Sequence, residues 1–176
     1  DATGTQGGEV SIQAGDSKPK GGGSLKFQAG SAAESSSDDG GSITVQSGQS
    51  ESGSSGFLKV STGDKSFASG NMEIQTGGAT AGSSGSIKIS SGKTNSEFSG
   101  QVVIESGSSN GKGGNIKIET GEAATDQSGN FVLNTGSSSS HDSGKIQLFS
   151  GQAEQGNSGT VSVASGSATI GNSGDV

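Results

Sequence analysis

Large apolar residues in this chain come mostly in pairs two positions apart, each pair framed by glycines in the phrase Gly-x-apolar-x-apolar-x-(Ser/Thr/Ala)-Gly. The phrase occurs eleven times, opening at Gly8, Gly23, Gly41, Gly56, Gly70, Gly85, Gly100, Gly114, Gly129, Gly144 and Gly159, and Gly174 starts a twelfth. The pairs are Val10/Ile12, Leu25/Phe27, Ile43/Val45, Leu58/Val60, Met72/Ile74, Ile87/Ile89, Val102/Ile104, Ile116/Ile118, Phe131/Leu133, Ile146/Leu148 and Val161/Val163. Alternation with period two, carried largely by β-branched and aromatic residues between glycines, predicts one short half-buried strand per phrase.

The spacing separates a fixed half of the repeat from an elastic one. From opening to closing glycine the distance is always seven, as from Gly8 to Gly15 and from Gly159 to Gly166. From the closing glycine to the next phrase it is usually eight, but seven from Gly63 to Gly70 and from Gly107 to Gly114, and eleven from Gly30 to Gly41. A strand held in register cannot gain or lose a residue without turning its side chains over. A surface bend absorbs an insertion at little cost. The constant half is therefore expected to be strand and the variable half to hold the turns.

A unit of about 15 residues is too short to enclose a core of its own, so its stability must come from stacking on its neighbours. The expected fold class is all-β: residues 1–176 as a single β-solenoid domain of about eleven parallel coils, each rising roughly 4.8 Å. In such a fold the closing glycines, Gly15, Gly30, Gly48 and Gly63 among them, turn the chain out of the sheet through backbone angles that other residues avoid. The small residues just before them (Ala14, Ala29, Ser47, Thr62) and those two residues after some of them (Ala32, Ala79, Ala123, Ala153, Ala168) suggest a return half packed closely on the sheet. Side-chain burial alone is too small to order the chain, so backbone hydrogen bonds between coils would carry an unusual share. Amide ladders in the column of Gln13, Gln28, Gln46 and Gln75, and the charge alternation Lys59, Glu73, Lys88, would assist them. Phe67, Phe98 and Ile170 fall in return halves, where they either plug gaps or lie exposed.

Composition adds constraints. Only 24% of residues are apolar and Gly numbers 35, a balance that without the register would read as a flexible linker. The net charge of −7 is spread along the chain with no basic stripe, which argues against nucleic acid as a partner. There is no run of about 20 apolar residues, so no membrane span is expected. With no cysteine, nothing depends on disulfides.

Chemistry-bearing residues are sparse. The chain has one His and no Cys, Tyr or Trp, whereas nucleophilic and acid/base sites need a polarised constellation. His141 falls in the Ser137 to Ser143 bend and is expected to be a solvent-exposed loop residue. Asp38 and Asp39, in the one enlarged bend, are expected to solvate it and not to hold a cation. No acidic residue recurs at a fixed bend position, as a calcium-loaded repeat would require. The expectation is no enzyme, and no catalytic, cofactor or metal site. Ser35 to Ser37, Ser52 to Ser55 (save Gly53) and Ser137 to Ser140 are candidate acceptors for O-linked glycan, while no Asn-x-Ser/Thr acceptor occurs.

Two phrases, Ser84-Gly85-Ser86-Ile87-Lys88-Ile89-Ser90-Ser91-Gly92 and Ser158-Gly159-Thr160-Val161-Ser162-Val163-Ala164-Ser165-Gly166, carry a resemblance that extends over the whole chain. They are similar to the Ser/Gly-rich tandem repeats of very large secreted structural or adhesive proteins, notably of microalgae such as diatoms and of bacterial surface arrays. The resemblance implies an extracellular, non-catalytic fibre and gives no ligand residue to carry over.

The ends agree with this. Asp1 to Gly8 align with Gln152 to Gly159, and Val176 falls inside a phrase, so neither end carries a cap. Opening on Asp1 instead of Met reads as a processed or excised segment. The expected partner is the chain itself, in a longer array or in head-to-tail stacking that does not close. The expected function is thus a structural repeat protein that forms or extends an extracellular fibre or filament by coil-on-coil β stacking. A surface- or glycan-adhesion module is the alternative. Ice binding is weaker, because the middle column Ser11, Lys26, Thr44, Lys59, Glu73, Lys88, Val103, Lys117, Val132, Gln147, Ser162 is too charged and mixed. A passive spacer is the remaining reading.

Overall fold

The computed structural model of the protein describes residues 7–18, 21–33, 38–64, 67–95 and 98–176. Among them there is no helix and no strand. The expected β-solenoid, with its parallel coils and sheet, is therefore corrected. The architecture is instead a succession of open phrases joined by loops that close on themselves, and the glycines show how. At four junctions the amide of a phrase's opening glycine bonds to the closing glycine of the phrase before it: Gly23 N–H donates to Gly15 O at 2.8 Å, Gly41 to Gly30 O at 2.9 Å, Gly56 to Gly48 O at 3.0 Å and Gly129 to Gly121 O at 3.4 Å.

These bonds explain the correction. In a parallel stack Gly23 would sit above Gly8, one full repeat earlier, and the phrases would lie side by side with a ladder between them. Here Gly23 is held at Gly15, so consecutive phrases do not stack in parallel register, and no ladder forms among the described residues. Alternating apolar residues mark which side chains share a side of an extended segment. They do not supply the neighbouring strand.

The chain divides into two compact units, Asp1–Lys88 and Ile89–Val176. In the first unit the approach of phrase end to phrase start recurs at each described junction. A β-carbon built on Gly23 would stand 3.4 Å from Ala14 Cβ, on Gly41 3.3 Å from Ala29 Cβ, on Gly56 3.5 Å from Ser47 Cβ, on Gly70 4.0 Å from Thr62 Cγ2, and on Gly85 3.4 Å from Thr76 Cγ2. In the second unit the same relation links Gly100 to Ser91, Gly114 to Ser106, Gly129 to Thr120, Gly144 to Thr135, Gly159 to Ser150 and Gly174 to Ser165, at 3.2 to 3.9 Å. The small residue before each closing glycine thus serves the neck of a loop, not a return strand laid on a sheet. Loop lengths of seven, eight and eleven all end in the same neck, which is why the sequence varies there and nowhere else.

Within the loops the chain bends sharply at a constant place, three to five residues past the closing glycine: 51–53, 80–82, 110–112, 124–126, 139–141, 154–156 and 169–171. Two residues past the closing glycine stands a Ser in several loops, and its hydroxyl accepts from an amide of the bend. Gly53 N–H donates to Ser50 Oγ at 2.9 Å, Gly111 N–H to Ser109 Oγ at 3.0 Å, and His141 N–H to Ser138 Oγ at 3.1 Å. Such short side-chain-to-backbone bonds are how Ser initiates turns. The expected unusual backbone angles at the closing glycines do not occur. Among the described residues positive φ is confined to Gly156 (120°) and Gly171 (107°), each the last residue of a bend.

No described residue is buried. The least exposed are the neck residues Ala14, Ala29, Ser47, Thr76 and Thr135, together with Ala32. The apolar pairs stay at least half open: Ile87 is 53% and Ile89 72% exposed, Ile116 51% and Ile118 65%. In nine of the eleven phrases the first side chain of the pair is the better covered. Phe67, Phe98 and Ile170 are fully or almost fully exposed, which settles that they plug no gap. No helix among the described residues is long and apolar enough to cross a membrane.

Candidate functional site

The arrangement that recurs in both units is the neck with the apolar pair that follows it, and this is the candidate functional element. The fixed spacing of seven puts the pair at the third and fifth positions of the phrase that each neck opens. The incoming side of the neck is crowded at Gly41, where a β-carbon would meet Ala29 Cβ and Gly30 N at 3.3 Å and Gly30 O at 3.4 Å. Each repeat therefore presents at least two exposed apolar side chains at a set distance from a closed loop, with Phe57, Val103, Val132 and Phe149 adding a third in four of them.

Residues singled out in the sequence are dispersed. His141 is exposed in the bend at 139–141, with its Nδ1 3.1 Å from Ser140 Oγ. No carboxylate stands with it as a relay partner among the described residues. Asp38 and Asp39 are exposed at the start of the segment 38–64, and no group of three or more His, Cys, Asp or Glu side chains gathers for a metal among the described residues. Ser35 to Ser37 lie outside the described residues, whereas Ser52, Ser54, Ser55 and Ser137 to Ser140 are exposed in loops.

The charge alternation Lys59, Glu73, Lys88 forms no ion pairs among the described residues. An ion pair does form inside one phrase, where Lys117 Nζ and Glu119 Oε2 are 2.8 Å apart with both side chains well exposed. Side chains two apart in an extended phrase share a side, which brings these two together without any neighbouring coil.

One shallow depression lies in the second unit, at the loop base closed by Gly129 N–H and Gly121 O, lined by Ile118, Glu119, Thr120, Glu122 and Phe131. It places an aromatic ring and an aliphatic side chain with two carboxylates, one of them already engaged by Lys117. Sequence inspection did not single it out, because its residues come from two phrases and the loop between them. The signal that would have found it is the closure of the loop itself, which joins the end of one phrase to the start of the next.

Compared with family models, with characterised proteins and with solved structures, the chain matches none.

Proposed function

We propose that this chain is a structural repeat segment that forms or extends an extracellular fibre or filament by association with further copies of itself, without catalysis. The observation that carries the reading is the repeated presentation of exposed apolar pairs at constant spacing from closed loop necks. Exposed apolar groups in register are driven together by release of hydration water, and a second copy offers the same groups at the same intervals. The polar, serine-rich loops between them keep the assembly wetted, and the net charge of −7 opposes indiscriminate clumping. Loop hydroxyls such as Ser137 to Ser140 are available to O-linked sugar.

Negative-stain electron microscopy of the native material tests this reading. Long thin threads support it. Discrete particles at all concentrations, together with a single monomeric species in sedimentation, would refute it.

A second reading, adhesion to a glycan, is favoured by one observation: the depression at Phe131, where a ring for the apolar side of a sugar stands near Glu119 and Glu122 as acceptors for its hydroxyls. Binding to an immobilised glycan panel that is lost in Phe131→Ala would select it over the fibre.

A further inference from the structure

The bend at 110–112 carries the chain's single Asn-Gly step, Asn110-Gly111, and both residues are exposed. All other Asn residues precede bulkier neighbours: Asn71 precedes Met72, Asn115 precedes Ile116, Asn130 precedes Phe131, Asn134 precedes Thr135, and Asn95, Asn157 and Asn172 precede Ser. The difference matters for one reaction. A backbone nitrogen can attack the preceding side-chain amide only if the chain folds back tightly, and a glycine, having no Cβ, leaves that approach open. A β-carbon built on Gly111 would meet nothing closer than Ser109 Oγ at 3.8 Å, so no packed neighbour restrains the segment. Nor is the step locked by helix or strand hydrogen bonds, since no described residue belongs to either. The Gly111 N–H donates to Ser109 Oγ at 3.0 Å, a bond between exposed groups that water readily replaces.

We infer that Asn110-Gly111 is a self-modifying site, at which the chain converts an amide to a carboxylate without an enzyme. The Gly111 nitrogen, losing its proton to solvent base, bonds to Asn110 Cγ. The Cγ–Nδ2 bond breaks and ammonia leaves, giving a five-membered cyclic imide. Water then adds to one of the two imide carbonyls and reopens the ring. Opening on one side gives aspartate at 110, and opening on the other gives isoaspartate, with the chain routed through the former side chain. The sum is amide plus water to carboxylate plus ammonium, with no change of oxidation state.

Two consequences follow for this loop. A new negative charge appears two positions from Lys112 and deepens the net charge of −7 by one. The isoaspartyl product also adds a backbone atom to one of the two shortest loops, the one that spans seven from Gly107 to Gly114. Its neck is tight, with a Gly114 β-carbon falling 3.2 Å from Ser106 Cβ. The added atom therefore goes into the loop and leaves the phrase spacing alone.

The experiment is a timed incubation of the full chain at neutral and mildly alkaline pH, followed by peptide mapping. Fragmentation that separates aspartate from isoaspartate locates each gain of about 1 Da. Asn110 is expected to convert several-fold faster than every other Asn, faster still at the higher pH, and at nearly the same rate in concentrated urea as in buffer. Gly111→Val is expected to slow it several-fold. Conversion of Asn157 or Asn172 ahead of Asn110, indifference to Gly111→Val, or a rate in buffer far below that in urea would each overturn the inference.

Discussion

Replacing Gly41 with alanine probes a neck where the crowding comes mostly from backbone. The added methyl group would lie 3.3 Å from Ala29 Cβ and from Gly30 N, and 3.4 Å from Gly30 O. Two of these three atoms are backbone, so the crowding is relieved only if the neck widens, and widening stretches the 2.9 Å bond from the residue 41 amide to Gly30 O. A neutral amide–carbonyl bond contributes about 0.5 to 1.5 kcal/mol net, which corresponds to roughly twofold to tenfold slowing of exchange at that amide. Alanine in place of glycine also narrows the unfolded ensemble, worth about 0.4 to 1 kcal/mol where no strain arises. The two effects nearly cancel in any global stability measurement, so the assay must be local. Amide hydrogen exchange read by NMR at residue 41 serves: slowed exchange in the natural chain, and exchange at the intrinsic rate in Gly41→Ala. Gly30→Ala, whose methyl group would meet nothing within 4 Å, is the control and should leave the residue 41 amide slowed. If the residue 41 amide exchanges as slowly in Gly41→Ala as in the natural chain, the neck is not closed in the way described and the account of the loops fails.

Further outcomes follow from the same geometry. Ser138→Ala removes the acceptor for the His141 amide, and exchange at His141 should quicken by a few-fold; the loss is no more than about 1 kcal/mol, since Ala123, Ala153 and Ala168 hold the same place in other loops. The double change Ile87→Ser, Ile89→Ser removes one exposed apolar pair, and because association of half-exposed side chains gains only part of the 1.5 to 3 kcal/mol of full burial, about 1 kcal/mol per residue, it should raise the concentration at which light scattering detects assembly several-fold. Unchanged assembly would count against the apolar pairs as the associating groups. Lys117→Ala breaks the pair with Glu119 in open solvent, and exchange of the nearby Gly129 amide should change by no more than about twofold.

The repeat itself was legible in the sequence, and so was the division between a constant and a variable half, because glycine spacing is a strictly local record. That the bends fall in the variable half, at 51–53 or 154–156 for instance, follows from the same record. What the sequence did not reveal is what lies beside each phrase. Period-two alternation at Ile87 and Ile89 reads the same whether or not a neighbouring strand exists, and that choice depends on whether Gly85 sits near Gly70 or near Thr76. Closing across eight or nine residues loses less chain entropy than aligning whole repeats, and two apolar residues per phrase give little to offset the larger loss. The backbone angles were likewise out of reach: Gly156 and Gly171 take positive φ, whereas Gly53 and Gly82, at the equivalent place in their bends, do not. His141 was placed by its neighbours alone, since a histidine set among serines and a charged residue has no apolar surface to retreat under.

Because backbone bonds close the bases of the loops at Gly15–Gly23 and Gly30–Gly41, tension along the chain would reach these fastenings before it reached the segment held behind them. Parting the larger of these would let out about 35 Å of slack at roughly 3.5 Å per residue, without breaking a covalent bond, and the fastening could re-form once the load was gone. A material drawn from such segments would lengthen in steps and dissipate work at each one, and its toughness would be set by the number of fastenings more than by the strength of any of them.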